Sequence, residues 1–418
     1  MMFYKETNFK ETSIGKIPKE WELTEIKEVC EFIRGTEPGS KSYNTEGIGY
    51  RFIRVSDLSK QILEQVFTNE DKNKLVFCNK GDILLALDGV PGVVNKGFEG
   101  TVSSGIRIVK PKTLNIIKEF LFYILQHRIV QKVIENYATG TTIKHASRAI
   151  NFIKIPLPPL PEQQKIAEIL STVDEAIQKT NEIIAKTERL KKGLMQELLT
   201  KGIGHKEFKD TEIGRIPKEW EVVRLKDIVV EAKSGFACGK RDENGILQLR
   251  MDNIETEGWI NIQAGVKVPI PPNVEDYILR PGDILFNNTN SVDLIGKTAI
   301  FRSEFQKCVY SNHLTRIRVN QEKVIPEWVL YLLIRKWELG IFKAICHRHV
   351  HQAGINNEDL LRLKIPLPPL EEQQRITSII LTADSKLKLE RNEKARLERI
   401  KRGLMDLLLT GKIRVKVD

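Results

Sequence analysis

Two octapeptides 210 residues apart read almost letter for letter alike, and the rest of the chain has to be arranged around them. Residues 153–160 are Ile-Lys-Ile-Pro-Leu-Pro-Pro-Leu, and 363–370 repeat them with one exchange, Leu363 for Ile153. Each copy leads into an acidic residue and paired glutamines (Glu162-Gln163-Gln164, Glu372-Gln373-Gln374) and a helical pattern that closes on Gly-Leu-Met (193–195, 403–405). A second repeat lies upstream: Ile-Gly-Lys-Ile-Pro-Lys-Glu-Trp-Glu at 14–22 returns at 213–221 with Arg215 for Lys16, at an offset of 199. The chain is a tandem duplication whose 11-residue difference in offset falls between the two markers. Such a chain asks for a function that uses two similar but unequal modules at a fixed distance.

The helical stretches, 161–201 and 371–411, carry apolar residues at steps of three and four, the seam of a coiled coil. In the first the seam is Ile166, Leu170, Val173, Ile177, Thr180, Ile184, Thr187, Leu190, Leu194 and Leu198. In the second it is Ile376, Ile380, Ala383, Leu387, Glu390, Lys394, Leu397, Ile400, Leu404 and Leu408. Pro161 suits a first helical turn, Glu162 favours the positive end of the macrodipole, and Gly202 and Gly411 are stop signals. A helix roughly 60 Å long cannot bury its stripe alone. Pairing each with the other copy, antiparallel about a pseudo-twofold axis, satisfies both. The polar seam positions (Thr180, Thr187, Glu390, Lys394) either fix register or offer a docking point to another subunit.

The modules, 1–155 and 204–364, read as mixed α/β (α+β). Short β-rich runs (50–55, 83–87, 106–109, 298–301, 316–319) are separated by turns containing Gly, Asn and Ser. Framework fragments recur, Gly81-Asp82-Ile83-Leu84 as Gly282-Asp283-Ile284-Leu285 and Glu119–Tyr123 as Glu327–Tyr331, whereas 85–89 and 286–290 have diverged. Retained framework with changed loops fits modules that read different targets; loop drift gives the same picture.

The formal charge of +11 is evenly divided: 30 Lys+Arg against 25 Asp+Glu in 1–203 (+5), and 36 against 30 in 204–418 (+6). A basic surface on each module favours an anionic partner, nucleic acid first. The N-terminus lacks a signal-peptide core, and no run approaches the roughly eighteen apolar residues of a membrane span. Five scattered cysteines (Cys30, Cys78, Cys238, Cys308, Cys346) point to reduced thiols and a cytoplasmic protein.

Catalytic chemistry is not legible. Residues 291–298 (Ser-Val-Asp-Leu-Ile-Gly-Lys-Thr) imitate a phosphate-binding loop but begin with Ser where the backbone nest needs Gly. The tract Cys346-His347-Arg348-His349-Val350-His351 has no second ligand pair at finger spacing and reads better as a basic loop near phosphate. Two copies of a module without a catalytic centre suggest recognition.

The repeated Ile-Pro-Leu-Pro-Pro-Leu…Glu-Gln-Gln segments, the Gly-Leu-Met helix ends and the Ile-Pro-Lys-Glu-Trp module starts resemble the specificity subunit of type I restriction–modification enzymes, over essentially the whole chain. The resemblance implies two target-recognition domains, 1–155 and 204–364, followed by spacer helices in 156–203 and 365–418. Each domain would read one half of a bipartite, asymmetric site on double-stranded DNA. The paired helices would set the unread spacer and dock two methyltransferase subunits, which restriction/translocase subunits join. S-adenosylmethionine, ATP and Mg are expected on those partners, with no cofactor, metal or catalytic residue on this chain. The rival reading is a coiled-coil scaffold without DNA sequence readout.

Base reading needs paired donors or acceptors, Arg for guanine and Asn or Gln for adenine, while Lys holds phosphate. The candidates are Arg51, Arg54, Lys96, Arg107, Lys144 and Arg148 in the first module. In the second they are Lys240, Arg241, Arg250, Asn287, Asn288, Asn290, Lys297, His313 and Arg348. Arg54 and Arg250 occupy matching repeat positions.

Overall fold

The computed structural model describes residues 3–59, 64–302, 307–348, 350 and 352–417. The chain divides into two compact units, Met1–Glu182 with Asn392–Asp418, and Ile183–Arg391. Each holds one module and portions of two long helices, Leu160–Lys201 and Leu370–Leu408.

In the first unit the strand Ile83–Ala86 lies between Val94–Asn95 and Ile106–Pro111, and Cys30–Arg34 completes an antiparallel four-stranded sheet. All four side chains of Ile83–Ala86 are buried because the sheet has a core on each face. Ile83 and Leu85 share a cluster with the helix Lys118–Gln126; Leu84 and Ala86 pack with Ile53, Cys78 and Val102 of a five-stranded sheet. A strand covered on both sides is a continuous apolar run rather than an alternating one. The second unit repeats the plan. Val229–Ser234, Leu314–Val319, Ile284–Asn287 and Thr298–Ile300 form its four-stranded sheet. Ile284 and Phe286 share a cluster with the helix Pro326–Glu338, and Leu285 packs with Leu249 and Tyr310.

The repeated motifs meet in space. Lys154–Leu157 pairs antiparallel with Glu22–Glu25, and Lys364–Leu367 with Glu221–Arg224. Buried Trp21 donates from Nε1 to Glu162 Oε2 at 3.0 Å, and buried Trp220 to Glu372 Oε2 at 2.9 Å. Gln163 accepts from the Ile117 N–H and donates to the Pro158 carbonyl; Gln373 does the same with Ile325 and Pro368. The proline-rich lead-in has few N–H groups of its own, so these amides complete the hydrogen bonding of each helix start.

Within each unit the long-helix segments run antiparallel. In the first, Asp174 takes Lys401 (Nζ–Oδ1 2.7 Å), and Glu162, near one helix start, takes Arg414 on the strand just past the other helix's end (Nε–Oε1 2.7 Å). In the second, Glu188 takes Arg391 (2.9 Å) and Asp384 takes Lys191 (2.5 Å). The contacts ascend one segment as they descend the other. Of the expected seam, Ile166, Leu170, Ile376, Ile380, Leu387 and Leu408 are buried, and Val173, Ile177, Ile184, Leu194, Leu198, Leu397 and Leu404 are half-buried. Leu190 and Ile400 do not belong to it: they are 58% and 39% exposed. Their neighbours Lys191 and Lys401 turn inward instead, each onto an aspartate that also accepts from a tyrosine, Tyr331 (2.8 Å to Asp384) or Tyr123 (3.0 Å to Asp174). A lysine displaces the leucine there because the carboxylate neutralises it, and apolar periodicity cannot reveal that.

The first unit is closed by the strand Phe3–Lys5 pairing with Ile413–Val415, between which Arg414 bridges Glu6, Glu20 and Glu162. Among the described residues no helix is long and apolar enough to cross a membrane.

Candidate nucleic-acid interface

The first unit carries an open cleft of about 1480 Å³ between its five-stranded sheet, the two-stranded ribbon Asp88–Gly89/Lys144–His145 and the turn Ser147–Asn151. Arg107 forms the floor. Its guanidinium donates to the Ser104 carbonyl (2.8 Å) and Ser147 Oγ (2.7 Å) and lies 3.8 Å from Asp88 Oδ2. Burial pulls its pKa below the ordinary value, and Asp88 opposes that. Asp88 Oδ1 meets His145 Nδ1 at 2.9 Å, so the imidazole is oriented while most of the side chain stays exposed. Arg34, Arg54 and Arg148 also line the cleft, with Arg54 held by Asp57 (3.2 Å). Tyr137 and Phe152 stack at 4.3 Å and 6° on its wall, both exposed, where a flat apolar surface can meet a base.

Of the residues singled out in this module, the cleft gathers Arg54, Arg107 and Arg148. Arg51, over the Phe98 ring, Lys96, over the Phe122 ring, and Lys144, exposed on the ribbon, lie outside its lining. Arg107 differs from expectation: it is buried, and the fold engages both terminal nitrogens of its guanidinium. Arg34, His145, Tyr137 and Phe152 were missed, and the one available signal was the position of His145 directly after Lys144.

In the second unit Lys240, Arg241 and Arg348 are exposed, and Arg250 and His313 are half-buried. Arg250 donates to the Cys238 carbonyl (2.8 Å), and its backbone N–H is capped by Asn253, as that of Arg54 is by Asp57. Asn287, Asn288, Asn290 and Lys297, expected at the surface, are instead buried. Asn288 donates to Thr315 Oγ1 (3.0 Å) and the Asn312 carbonyl (3.1 Å), and Asn290 accepts from the Ser291 N–H (2.8 Å). Lys297 caps the Ile254 carbonyl at 2.5 Å, and burial lowers its pKa. Asn288 and Lys297 are turned inward by distant partners, Asn290 by its neighbour, and the Asn287 side-chain amide is buried with no hydrogen-bond partner among the described residues. The segment 291–298 is a turn packed on Phe342 through Gly296 (φ +84°). His349 and His351 lie outside the described residues, among which no metal-ligand cluster occurs.

Strand register aligns the two modules position by position. With Ile83 matched to Ile284, Arg107 falls on Thr315, its neighbour Arg34 on Ser234, Asp88 on Thr289 and His145 on Gly354. One framework thus carries two guanidiniums, a carboxylate and an imidazole in one unit, and hydroxyls and a glycine in the other.

The family model described as the type I restriction modification DNA specificity domain matches this chain twice, over residues 18–189 and 217–399. The chain belongs to that family. Relatives in this specificity family include the type I restriction enzyme MjaVIII specificity subunit of Methanocaldococcus jannaschii, 33% identical over 100% of this chain and 98% of its own length. The EcoKI specificity subunit of Escherichia coli is 22% identical over 96% and 91%. The crystal structure of the type I restriction-modification S subunit from M. genitalium shares the fold, with a TM-score of 0.61 at 16% identity, covering 93% of this chain and 96% of that one. Specificity subunits of this family supply recognition, not catalysis.

Proposed function

We propose that residues 1–155 and 204–364 are target-recognition domains that each read one half of a bipartite, asymmetric sequence in double-stranded DNA. The helical regions 156–203 and 365–418 set the unread spacer between the halves and dock two methyltransferase subunits, which restriction/translocase subunits join. S-adenosylmethionine, ATP and Mg belong to those partners, and the assembly works in the cytoplasm.

The observation that carries this reading is the change of chemistry at matched positions. Arg34, Asp88 and His145 against Ser234, Thr289 and Gly354 give the modules different donors and acceptors on one scaffold, around the buried pair Arg107 and Thr315. Base edges are told apart by such donor and acceptor patterns, whereas phosphate contacts position without specifying.

Methylated sites mapped in cells that express the chain with its cognate methyltransferase subunit test the proposal. The expected pattern is two unlike half-sites at constant spacing. Methylation without sequence preference, or at a continuous site, would overturn it.

A further inference from the structure

The second module touches the long helices through a loop that has no counterpart in the sequence of the first. The two modules share landmarks on either side of it, the caps Asp57 and Asn253 and the strand residues Val66 and Val266. Between them the first module has residues 58–65 and the second 254–265, four residues more. The longer loop carries Glu257, Gly258 and Trp259, whereas 58–65 contains no aromatic residue. The Trp259 ring lies 4.2 Å from the Arg302 guanidinium and 4.8 Å from Lys388 Nζ, and Glu257 Oε1 accepts from Arg391 at 3.2 Å. Arg391 also reaches Glu188 of the other long helix at 2.9 Å. Lys388 and Arg391 stand one turn apart on Leu370–Leu408; the repeat matches them with Gln178 and Asn181, which bring no cation.

From that contact a short path leads to Arg250. Gly258 turns the loop (φ +90°) against the helix Pro326–Glu338, so closely that a Cβ there would stand 2.8 Å from Ile334 Cδ1. The Glu255 N–H donates to the Trp259 carbonyl (3.0 Å) and the Asn261 N–H to the Asn253 carbonyl (2.8 Å), which closes the loop on its own foot. Buried Asn253 joins the foot to the strand end. Its Nδ2 donates to the Asn261 carbonyl (2.6 Å), and its Oδ1 accepts from the Arg250 N–H (2.7 Å). The Arg250 guanidinium in turn holds the Cys238 carbonyl, two residues before exposed Lys240 and Arg241.

We propose that loop 254–265 is a strut, and that Trp259 and Glu257 are positioning residues that hold Arg250 and the strand end around it at a set place along the helix pair. The inference rests on the recognition role proposed above. Helix length decides how far a half-site lies from its partner; the strut decides how strictly that distance is enforced. Side chains that read a ligand must be held to within about 0.5 Å. One base pair moves a half-site by about 3.4 Å and turns it by about 35°. A module tied to the helices misses a site one pair out of place, whereas a module released from them can swing to meet it. The ion pair is partly exposed, with Glu257 and Arg391 at 34% and 40%, so it adds little to folding and its effect falls on position. Arg391 is engaged by two carboxylates and Lys388 by an indole, which directs both cations at protein and not at phosphate.

The test uses the full chain with its cognate methyltransferase subunit and measures methylation rates on DNA whose spacer is the natural length or one or two pairs longer or shorter. The natural chain should lose about tenfold or more for one pair, as it would for a mismatched base. In Trp259→Ala with Glu257→Gln that loss should shrink to about threefold or less, with base preference inside each half-site unchanged. Trp259→Phe keeps a ring for the two cations and should restore the sharp profile. Leu360→Val, a core change elsewhere in the unit, controls for stability and should leave the profile sharp. A double variant as strict as the natural chain overturns the strut alone, as does a Leu360→Val chain that is equally permissive. A natural chain that methylates without two half-sites at constant spacing overturns the recognition reading with it. Uniform weakening at every spacer, with a flatter salt dependence, would assign the cluster to phosphate and overturn the proposal.

Discussion

Replacing Lys191 by methionine asks whether a buried ion pair, rather than the leucines around it, holds the helix segments of the second unit in register. The Lys191 and Asp384 side chains are 10% and 3% exposed, and their charged atoms are 2.5 Å apart. Tyr331 donates to the other carboxylate oxygen at 2.8 Å; burial, then Asp384, pushes its pKa far up, so it remains a donor. Removing the ammonium leaves a carboxylate out of water with one hydroxyl beside it, and breaking such a pair from one side costs about 3–5 kcal/mol. Asp384→Asn in the same chain removes the stranded charge and should recover most of the loss. The first unit holds the same triad in a wetter setting, with Lys401 and Asp174 19% and 32% exposed. Lys401→Met should therefore cost about 1 kcal/mol or less. Urea unfolding followed by tryptophan emission separates the two, because Trp220, Trp259, Trp328 and Trp337 lie in the second unit and only Trp21 in the first. A coupling energy between Lys191 and Asp384 below about 0.5 kcal/mol would refute the argument, as would equal losses in the two units.

Removing one heptad within 166–198, with the matching turns of 376–408, takes out roughly 10 Å of helix and should shorten the spacer by about three base pairs with both half-sites unchanged; methylation mapping reads this directly. Burial holds the His127 pKa below its ordinary value, although Asp406 pulls the other way. The unfolded chain then binds the proton more readily than the folded one, so this residue's contribution declines as pH falls below about 6.5, and His127→Gln should flatten the fall between pH 7 and 5. His145→Ala and Arg148→Ala should relax positions in one half-site, each costing about 1–3 kcal/mol of discrimination against the wrong base, while the other half-site is read as before. A uniform weakening on all sequences, with a flatter salt dependence, would make them phosphate-binding residues.

The duplication, the long helices and the Gly-Asp-Ile-Leu strands were legible because each leaves a local mark: a repeated word, a period of three and four, an unbroken apolar run. Polar residues were legible only where their environment was. Asn288 reads as a base contact until Thr315, 27 residues on, turns it inward. Leu190 reads as a seam residue until Asp384, from the other repeat, draws its neighbour Lys191 inward instead. His145 gains its orientation from Asp88, 57 residues earlier. Long-range pairing decides which polar side chains face outward, and it leaves no trace in spacing.

The strand that pairs residues 3–5 with 413–415 has a consequence for synthesis. The second unit, 183–391, is continuous and has all its parts once Arg391 has been made. The first unit, begun earlier, lacks Leu408, Leu409 and Arg414 until the whole of the second has been made. At roughly 5–20 residues per second, Ile166 and Leu170 wait on the order of 10–50 s for those residues. Of the two units, the one begun first is thus completed second, and its uncovered helix face is where a nascent chain would need shelter.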